Sequence, residues 1–263
     1  MHVTSERRLD DGVRERTFTL DDAPGVPRTP GIPGILWTPA SAAASAPAPL
    51  ILQSPPPLGL RTAYPRLAAR ARHAAEDGFA SATLELPGSG DRPRIPATEQ
   101  AVADLRQALE AGRPVSDEIV DALVLPLVDR AVPEWQAALD ALLTLPEIGG
   151  PVGYSGGVIS IGTRLAVVEP RISAAVLFAG SFVPRAIFEE ARQVTIPLHV
   201  LLQWDDEGND RQAALNLFDA FGSAEKTLHA NMGGHTGVPP FAADAAAQFF
   251  TRHLRARPAV MRG

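Results

Sequence analysis

The chain has 263 residues, of which 45% are hydrophobic and 21% are charged, and its formal net charge is −6. That length can bury a sizeable core, and no apolar run approaches the roughly 18 residues of a membrane span, so we expect a soluble globular protein without a membrane partner. The chain has no cysteine, which excludes disulfides, thiolate metal sites and a cysteine nucleophile, and its acidic balance argues against a nucleic-acid partner. The stretch 1–19 carries charged residues where a signal peptide has an apolar segment, and this predicts a cytoplasmic protein.

Two strands are predicted at residues 16–20 and 34–38, joined as an antiparallel hairpin by a turn rich in Asp, Pro and Gly. Strand and helix patterns then alternate along the chain. The further strands are predicted at 49–53, 79–86, 172–178, 198–203 and 226–230, and helices at 64–77, 133–145, 211–221 and 240–254. This alternation predicts a single three-layer α/β domain over residues 1–263, with a mostly parallel sheet and helices on both faces.

Residues 98–133 do not fit the alternation simply. Their helical pieces, at 99–111 and 116–130, are amphipathic enough to form a small helical cap over the carboxyl edge of the sheet. An ordinary crossover helix carrying an insertion explains the same pattern, and both readings stay open.

The sharpest local motif is Gly153-Tyr154-Ser155-Gly156-Gly157, which matches G-x-S-x-G between a strand pattern and a helix of small residues. In that motif a serine at a tight strand-to-helix corner points its hydroxyl into the site, and glycines stand where side chains would collide. The spacing therefore predicts Ser155 as a nucleophile.

A serine nucleophile needs a histidine base and an orienting carboxylate, which in this arrangement follow in the order Ser, Asp or Glu, His. Asp205 and Asp206 come directly after the strand at 198–203, and His235 lies in a glycine-rich loop before the last helix. The order predicts Asp206 as the acid, with Asp205 as the fallback, and His235 as the base.

Four segments give the chain a resemblance to the α/β-hydrolase superfamily, and within it to the dienelactone-hydrolase-like esterases of bacteria. They are Leu86-Pro87-Gly88-Ser89-Gly90-Asp91-Arg92-Pro93, the Ser155 motif, Gln203-Trp204-Asp205-Asp206-Glu207, and Gly234-His235 followed by Val238-Pro239. The resemblance covers about residues 13–254 and implies the α/β-hydrolase fold, a Ser155–His235–Asp206 triad and an oxyanion donor at the Gly156 amide. It implies no cofactor and no metal, and a small ester or lactone as substrate; the oligomeric state stays open.

The turn expected to supply the second oxyanion donor departs from the family, because it reads Pro55-Pro56-Pro57 and proline has no N–H. Conceivable substitutes are the amides of Ser54 and Leu58 and the side chains of Gln53 and Ser54.

The strand before the motif is the second departure, because it contains Pro151, which would delete a ladder hydrogen bond in a central strand. In an alternative alignment the strand continues through Tyr154 and Ser155, so that Gly156-Gly157-Val158 forms the turn and valine takes the nucleophile position. We favour Ser155 because the motif spacing and the Asp and His agree with it.

Two functions from different classes follow from these observations. The first is a serine hydrolase of small esters or lactones; the second is a non-hydrolytic protein on the same fold, either a lyase, isomerase or cyclase that uses His235 and Asp206, or an inactive binder. A scaffold without a small-molecule site has no positive support. Candidate contacts for the substrate are Tyr154, Phe182, Phe188, Trp204 and the segment 98–133.

Overall fold

The computed structural model describes residues 1–21, 31–180 and 182–255. Most of the turn predicted between the first two strands lies outside these residues. The described residues form nine strands and seven helices in one continuous α/β arrangement.

The strands are β1 (His2–Arg8), β2 (Arg14–Leu20), β3 (Ile32–Thr38), β4 (Ala48–Ser54), β5 (Ala80–Leu84), β6 (Ile148–Gly156), β7 (Ile172–Phe178), β8 (Leu198–Gln203) and β9 (Lys226–Asn231). They make a single sheet in the order β1-β2-β3-β5-β4-β6-β7-β8-β9. The pairs from β1 to β3 and between β3 and β5 are antiparallel, and all the other pairs are parallel. The predicted hairpin and the mostly parallel sheet are therefore confirmed.

The helices are α1 (Leu60–Glu76), α2 (Pro96–Glu110), α3 (Asp117–Leu142), α4 (Ile159–Val168), α5 (Arg185–Ala191), α6 (Arg211–Ala220) and α7 (Phe241–Leu254). Helices α1 and α7 cover one face of the sheet, while α3, α4 and α6 cover the other. The strand β4 shows why both faces are buried: Leu50 and Leu52 join the α3 side of the core, and Ile51 between them packs on the α7 side.

Helix α3 is longer than the patterns indicated, because the helices predicted at 116–130 and 133–145 are one continuous helix. Its interior contains Pro126 and Pro133, each of which lacks the N–H for an intrahelical hydrogen bond. Burial of Val128 and Trp135 in the core holds the helix across these positions. Packing therefore outweighs the local signal for a break at Pro133.

Strand β1 was not predicted. All seven of its residues are exposed, so it has no apolar alternation, and it pairs only with β2 at the edge of the sheet. A strand without a buried face leaves no periodic signal in the sequence.

Pro151 lies at an irregularity of the β4–β6 ladder, outside the regular pairing in which the expectation placed it. The β4–β6 register is irregular between Ala48 and Leu50 and becomes regular where Leu50 pairs with Val152, just beyond the proline. Gly150, with φ of +72°, bends the chain before it. The proline therefore lies in the irregular start of β6.

Among the described helices, none combines the length and the apolar composition needed to cross a membrane.

Candidate active site

A cavity of about 1450 Å³ opens where the carboxyl ends of β4, β6 and β7 meet helices α1, α2 and α7. Its walls contain the predicted residues Gln53, Ser54, Ser155, Gly156 and His235. The α2 helix and the first half of α3 contribute further lining. Five of the eight predicted site residues therefore share one concave space, where open parallel sheets commonly bind ligands.

The imidazole of His235 is held by Asp206. His235 Nδ1 lies 2.7 Å from Asp206 Oδ2, and Asp206 is buried while His235 is largely exposed to the cavity. A buried carboxylate on one ring nitrogen fixes the ring and leaves the other nitrogen free for proton transfer. The pair has the geometry of a general base with its orienting acid.

The neighbouring carboxylate has another partner. Asp205 Oδ2 accepts a hydrogen bond from the amide of Gly233 at 3.2 Å, in the loop between β9 and α7. In that loop the φ of Gly233 is +138°, and an added Cβ would meet the Gly237 carbonyl at 3.3 Å. Asp205 thus holds the backbone that carries His235, whereas Asp206 holds its side chain.

Ser155 is part of the strand and not of the turn after it. It pairs with Gln53 on β4 and with Val176 on β7, and it is buried. The two left-handed residues are Gly156 at φ +86° and Gly157 at φ +64°, and Val158 then precedes α4. The backbone follows the alternative alignment, in which Gly156-Gly157-Val158 forms the turn.

The hydroxyl of Ser155 accepts a hydrogen bond from Arg70 on α1. Arg70 Nη2 lies 2.5 Å from Ser155 Oγ. Among the hydrogen bonds of the described residues, none joins Ser155 to His235. Both side chains line the same cavity, and Phe178, two residues beyond Val176 on β7, makes an edge contact with the His235 ring at a centroid distance of 5.5 Å.

Arg70 was missed by the sequence analysis. It is a partly buried residue, and within the described part of the chain it has no ion pair. Burial of the guanidinium, reinforced by the nearby charge of Arg66, lowers the pKa of Arg70 to about 10. Its position three residues after Leu67 and four before Ala74, both buried on α1, was a signal that it faces the sheet.

The proline turn is part of the cavity wall, at Pro56 and Pro57. Two of the conceivable substitute donors are already engaged: the Leu58 amide donates to the Pro56 carbonyl at 2.7 Å, and Gln53 Nε2 donates to Ser81 Oγ at 2.9 Å. The arrangement therefore makes neither of these groups a free donor to a ligand.

Two predicted contact residues lie elsewhere. Tyr154 is fully buried and packs edge-on against Trp135 of α3, on the sheet face opposite to Ser155. Trp204 lies under the guanidinium of Arg211 at 4.3 Å and does not line the cavity. Of the other candidates, Phe182 lines the cavity and Phe188 does not.

Five arginines line the cavity, and one carboxylate does so among the described residues. They are Arg66, Arg70, Arg92, Arg94 and Arg106, with Glu99 as the carboxylate. Arg92 forms a two-contact ion pair with Glu134 at 2.6 and 2.7 Å; the side chains are 10% and 3% exposed. That pair ties the loop after β5 to α3.

Nowhere in the described ranges do three or more His, Asp or Glu side chains form a cluster suited to a metal ion.

No protein-family model matches the chain, and no curated protein does. Among solved structures, a cold-adapted esterase from an Arctic intertidal metagenomic library matches with a TM-score of 0.71 and 26% identity, over 96% of this chain and 98% of the other. The chain has the α/β-hydrolase fold. Acetyl xylan esterase 1 from Thermoanaerobacterium matches with a TM-score of 0.64 and 14% identity over 95% and 87% of the two chains.

A putative dienelactone hydrolase from Klebsiella pneumoniae matches with a TM-score of 0.61 and 14% identity, over 89% of this chain and 90% of the other. The predicted α/β-hydrolase fold class is confirmed, and the chain is similar in structure to esterases and to a putative dienelactone hydrolase.

Proposed function

We propose that this α/β-hydrolase-fold protein hydrolyses small carboxylic esters or lactones through Ser155, His235 and Asp206. The observation that carries the proposal is the His235–Asp206 hydrogen bond of 2.7 Å in a cavity that also contains the Ser155 hydroxyl. The similarity to the Arctic esterase over nearly the full length of both chains supports the same class of reaction.

In the proposed reaction, Ser155 Oγ attacks the ester carbonyl while its proton passes to the free ring nitrogen of His235. The carbonyl electron pair moves to the oxygen, and collapse of this intermediate breaks the bond to the alcohol, which takes the proton from His235. Water, activated by the same histidine, then releases the acid from the acyl-enzyme. Asp206 keeps the imidazole oriented and stabilises its charged form.

Ser155 must form a hydrogen bond to His235 during this reaction. Catalytic hydrogen bonds are often long in ligand-free enzymes and shorten in the complex with substrate, so the contact of Ser155 with Arg70 is compatible with attack. The hydroxyl can accept from Arg70 through a lone pair and donate its own proton toward the cavity.

The test is labelling by a fluorophosphonate probe, together with hydrolysis of short p-nitrophenyl esters. We expect the probe to modify Ser155, identified by peptide mass spectrometry, and Ser155→Ala to lose both labelling and hydrolysis. Ser160→Ala is the matched control, because the Ser160 hydroxyl is buried in α4 without a hydrogen-bond partner and lies outside the cavity lining. A folded wild-type protein that is neither labelled nor active would contradict the proposal.

A second candidate function has an observation in its favour. The strand continues through Ser155, and the hydroxyl is bonded to Arg70 instead of His235. A lyase, isomerase or cyclase would need only the His235–Asp206 pair as acid and base. This candidate predicts unlabelled Ser155, no ester hydrolysis, and a Ser155→Ala variant that retains whatever turnover the wild type shows.

A further inference from the structure

Arg70 stands at the reacting end of Ser155, and the proposed mechanism gives it no role. Its Nη2 donates to Ser155 Oγ, and its Nη1 would lie 2.9 Å from a Cβ added to Gly156. The two ends of the guanidinium therefore lie against the hydroxyl and against the backbone turn that follows it. A Cβ at position 156 would displace the guanidinium from this place.

The guanidinium carries a positive charge that no carboxylate of the described residues neutralises. Arg92, in the same cavity wall, shows the contrast, since Glu134 holds it through two contacts. Partial burial of a cation without a carboxylate partner costs free energy, and Arg66 on the same helix adds repulsion. With a pKa of about 10, Arg70 still keeps its proton at neutral pH.

One donor to a developing oxyanion is expected at the Gly156 amide in the cavity wall, but the three prolines of the neighbouring turn have no N–H to supply a second one. The turn that would supply one is Pro55-Pro56-Pro57, and the nearby Leu58 amide and Gln53 amide group are engaged elsewhere. In a tetrahedral intermediate on Ser155, the negatively charged oxygen and Oγ are attached to the same carbon. The oxygen therefore lies within reach of the Arg70 guanidinium, which already donates to Oγ.

We propose that Arg70 is a catalytic residue that stabilises the negative charge formed on Ser155 Oγ and on the substrate oxygen during attack. This inference rests on the proposed function. In this step, the bond between Ser155 Oγ and the carbonyl carbon forms, and the hydroxyl proton passes to His235. The π electron pair of the carbonyl moves to its oxygen, which faces the Arg70 guanidinium. The guanidinium keeps all its protons and acts through hydrogen bonds and charge.

The experiment compares Arg70→Met and Arg70→Lys with wild type on neutral p-nitrophenyl esters, so that substrate charge plays no part. Removing one oxyanion donor costs about 10²–10³ in rate in a well-studied hydrolase, and we expect Arg70→Met to lose a similar factor in kcat with little change in KM. Arg70→Lys, which keeps a cation but not the fork, should lose less. The rate of fluorophosphonate labelling at Ser155 should fall in parallel.

Arg61→Met is the matched control. Arg61 lies on the same helix, is 93% exposed at its side chain and does not line the cavity, so its replacement should leave kcat unchanged. Methylguanidinium chloride should partly restore Arg70→Ala but not the wild type, with sodium chloride at equal ionic strength as the reference. The thermal unfolding temperature of Arg70→Met should equal or exceed that of wild type, because an unpaired buried charge has been removed.

Three results would overturn the assignment. One is a kcat for Arg70→Met within about threefold of wild type while Ser155→Ala is inactive. Another is a loss in Arg70→Met that comes with a lower unfolding temperature and is not rescued by methylguanidinium, which would indicate a structural role. If Ser155→Ala retains full ester hydrolysis, the proposed function itself fails, independently of Arg70.

Discussion

The two halves of the candidate site are built differently. The half that contains His235 and Asp206 uses two loops that follow β8 and β9, and its polar groups are matched: one carboxylate holds the imidazole, and Asp205 holds the backbone. In the other half, Ser155 lies on strand β6 beneath helix α1. Its hydroxyl accepts a hydrogen bond from Arg70, which has no acidic partner among the described residues.

This difference separates what the fold provides from what this chain adds. Loops at the carboxyl ends of parallel strands can present an acid and a base with little constraint from the core. The serine half depends on the close approach of α1 to β6, and therefore on Gly156 and on the length of the Arg70 side chain. We expect substitutions in the two halves to affect different measurable quantities.

The largest effect is expected in the acid–base half. Asp206→Asn should lower kcat for ester hydrolysis by about 10³–10⁴, because an amide no longer favours the reactive tautomer or stabilises the imidazolium. Steady-state kinetics on p-nitrophenyl acetate measure it. Asp205→Asn, the isosteric control, should lose less than about tenfold, since Asp205 contacts the Gly233 amide and not the ring. Equal losses in both variants would contradict the distinction between the two carboxylates.

A large effect on stability is expected at Arg92, the cavity arginine that is paired with Glu134. Arg92→Met leaves Glu134, whose side chain is 3% exposed, without a partner, and should lower the free energy of unfolding by about 3–5 kcal/mol. Urea denaturation measures it. The double variant Arg92→Met/Glu134→Met should recover most of the loss, whereas Arg70→Met should cost nothing. A destabilisation of similar size in Arg70→Met would mean that Arg70 has a stabilising partner.

An intermediate effect is expected at the turn after Ser155. Gly156→Ala places a side chain in the left-handed region, which costs about 1–3 kcal/mol, and it also pushes the Arg70 guanidinium away. Gly78→Ala is the control, because Gly78 has φ of +80° and an added Cβ there meets no atom within 4 Å. Both variants should lose stability, measured by urea denaturation, but only Gly156→Ala should also lose kcat. Unchanged kinetics in Gly156→Ala would separate Arg70 from catalysis.

The smallest effect concerns the stability of the protein in acid and comes from a buried histidine of β8. His199 on β8 is buried between Thr227 and the rings of His229 and Phe249, and burial together with the charge of His229 lowers the pKa of His199 to about 4. The unfolded chain binds the proton near pH 6.5, so stability should fall as pH drops from about 6.5 to 4 and then level off.

His199→Gln should remove about 1–2 kcal/mol of this pH dependence, measured as the difference in unfolding free energy between pH 7 and pH 5. The control is His2→Gln, at an exposed position, which should leave the pH dependence as in wild type. If the His199 variant loses as much stability on acidification as wild type does, another group is responsible.

The parts of the site that were predictable have local signals. The glycine-rich loop indicated His235, and the strand that ends before Asp205 and Asp206 indicated a carboxylate near it; the structure shows the hydrogen bond between His235 and Asp206. The alternation of buried strands and amphipathic helices predicted the sheet, although β1 and the continuity of α3 across Pro133 depend on pairing and packing that no short pattern records.

The Ser155–Arg70 contact joins residues 85 positions apart. To predict it, one would need the register of β6 against β4 and the rotation of α1 about its axis. The glycines of the motif allowed two alignments of β6, so the sequence did not settle the register. Tyr154 illustrates the same problem, because a shift of one strand position moves a side chain to the opposite face of the sheet.

The arginines of the cavity wall also shape the electric field outside the protein. The chain has a net charge of −6, yet five guanidinium groups line one cavity, and among the described residues Glu134 neutralises Arg92 while Glu99 is the one carboxylate in the lining, so the opening is locally positive. Such a field raises the encounter rate of negatively charged molecules. Salt screens it over a distance of about 8–10 Å at physiological ionic strength. Association of anionic esters should therefore slow as ionic strength rises, while neutral esters of the same size enter at a rate that salt leaves unchanged.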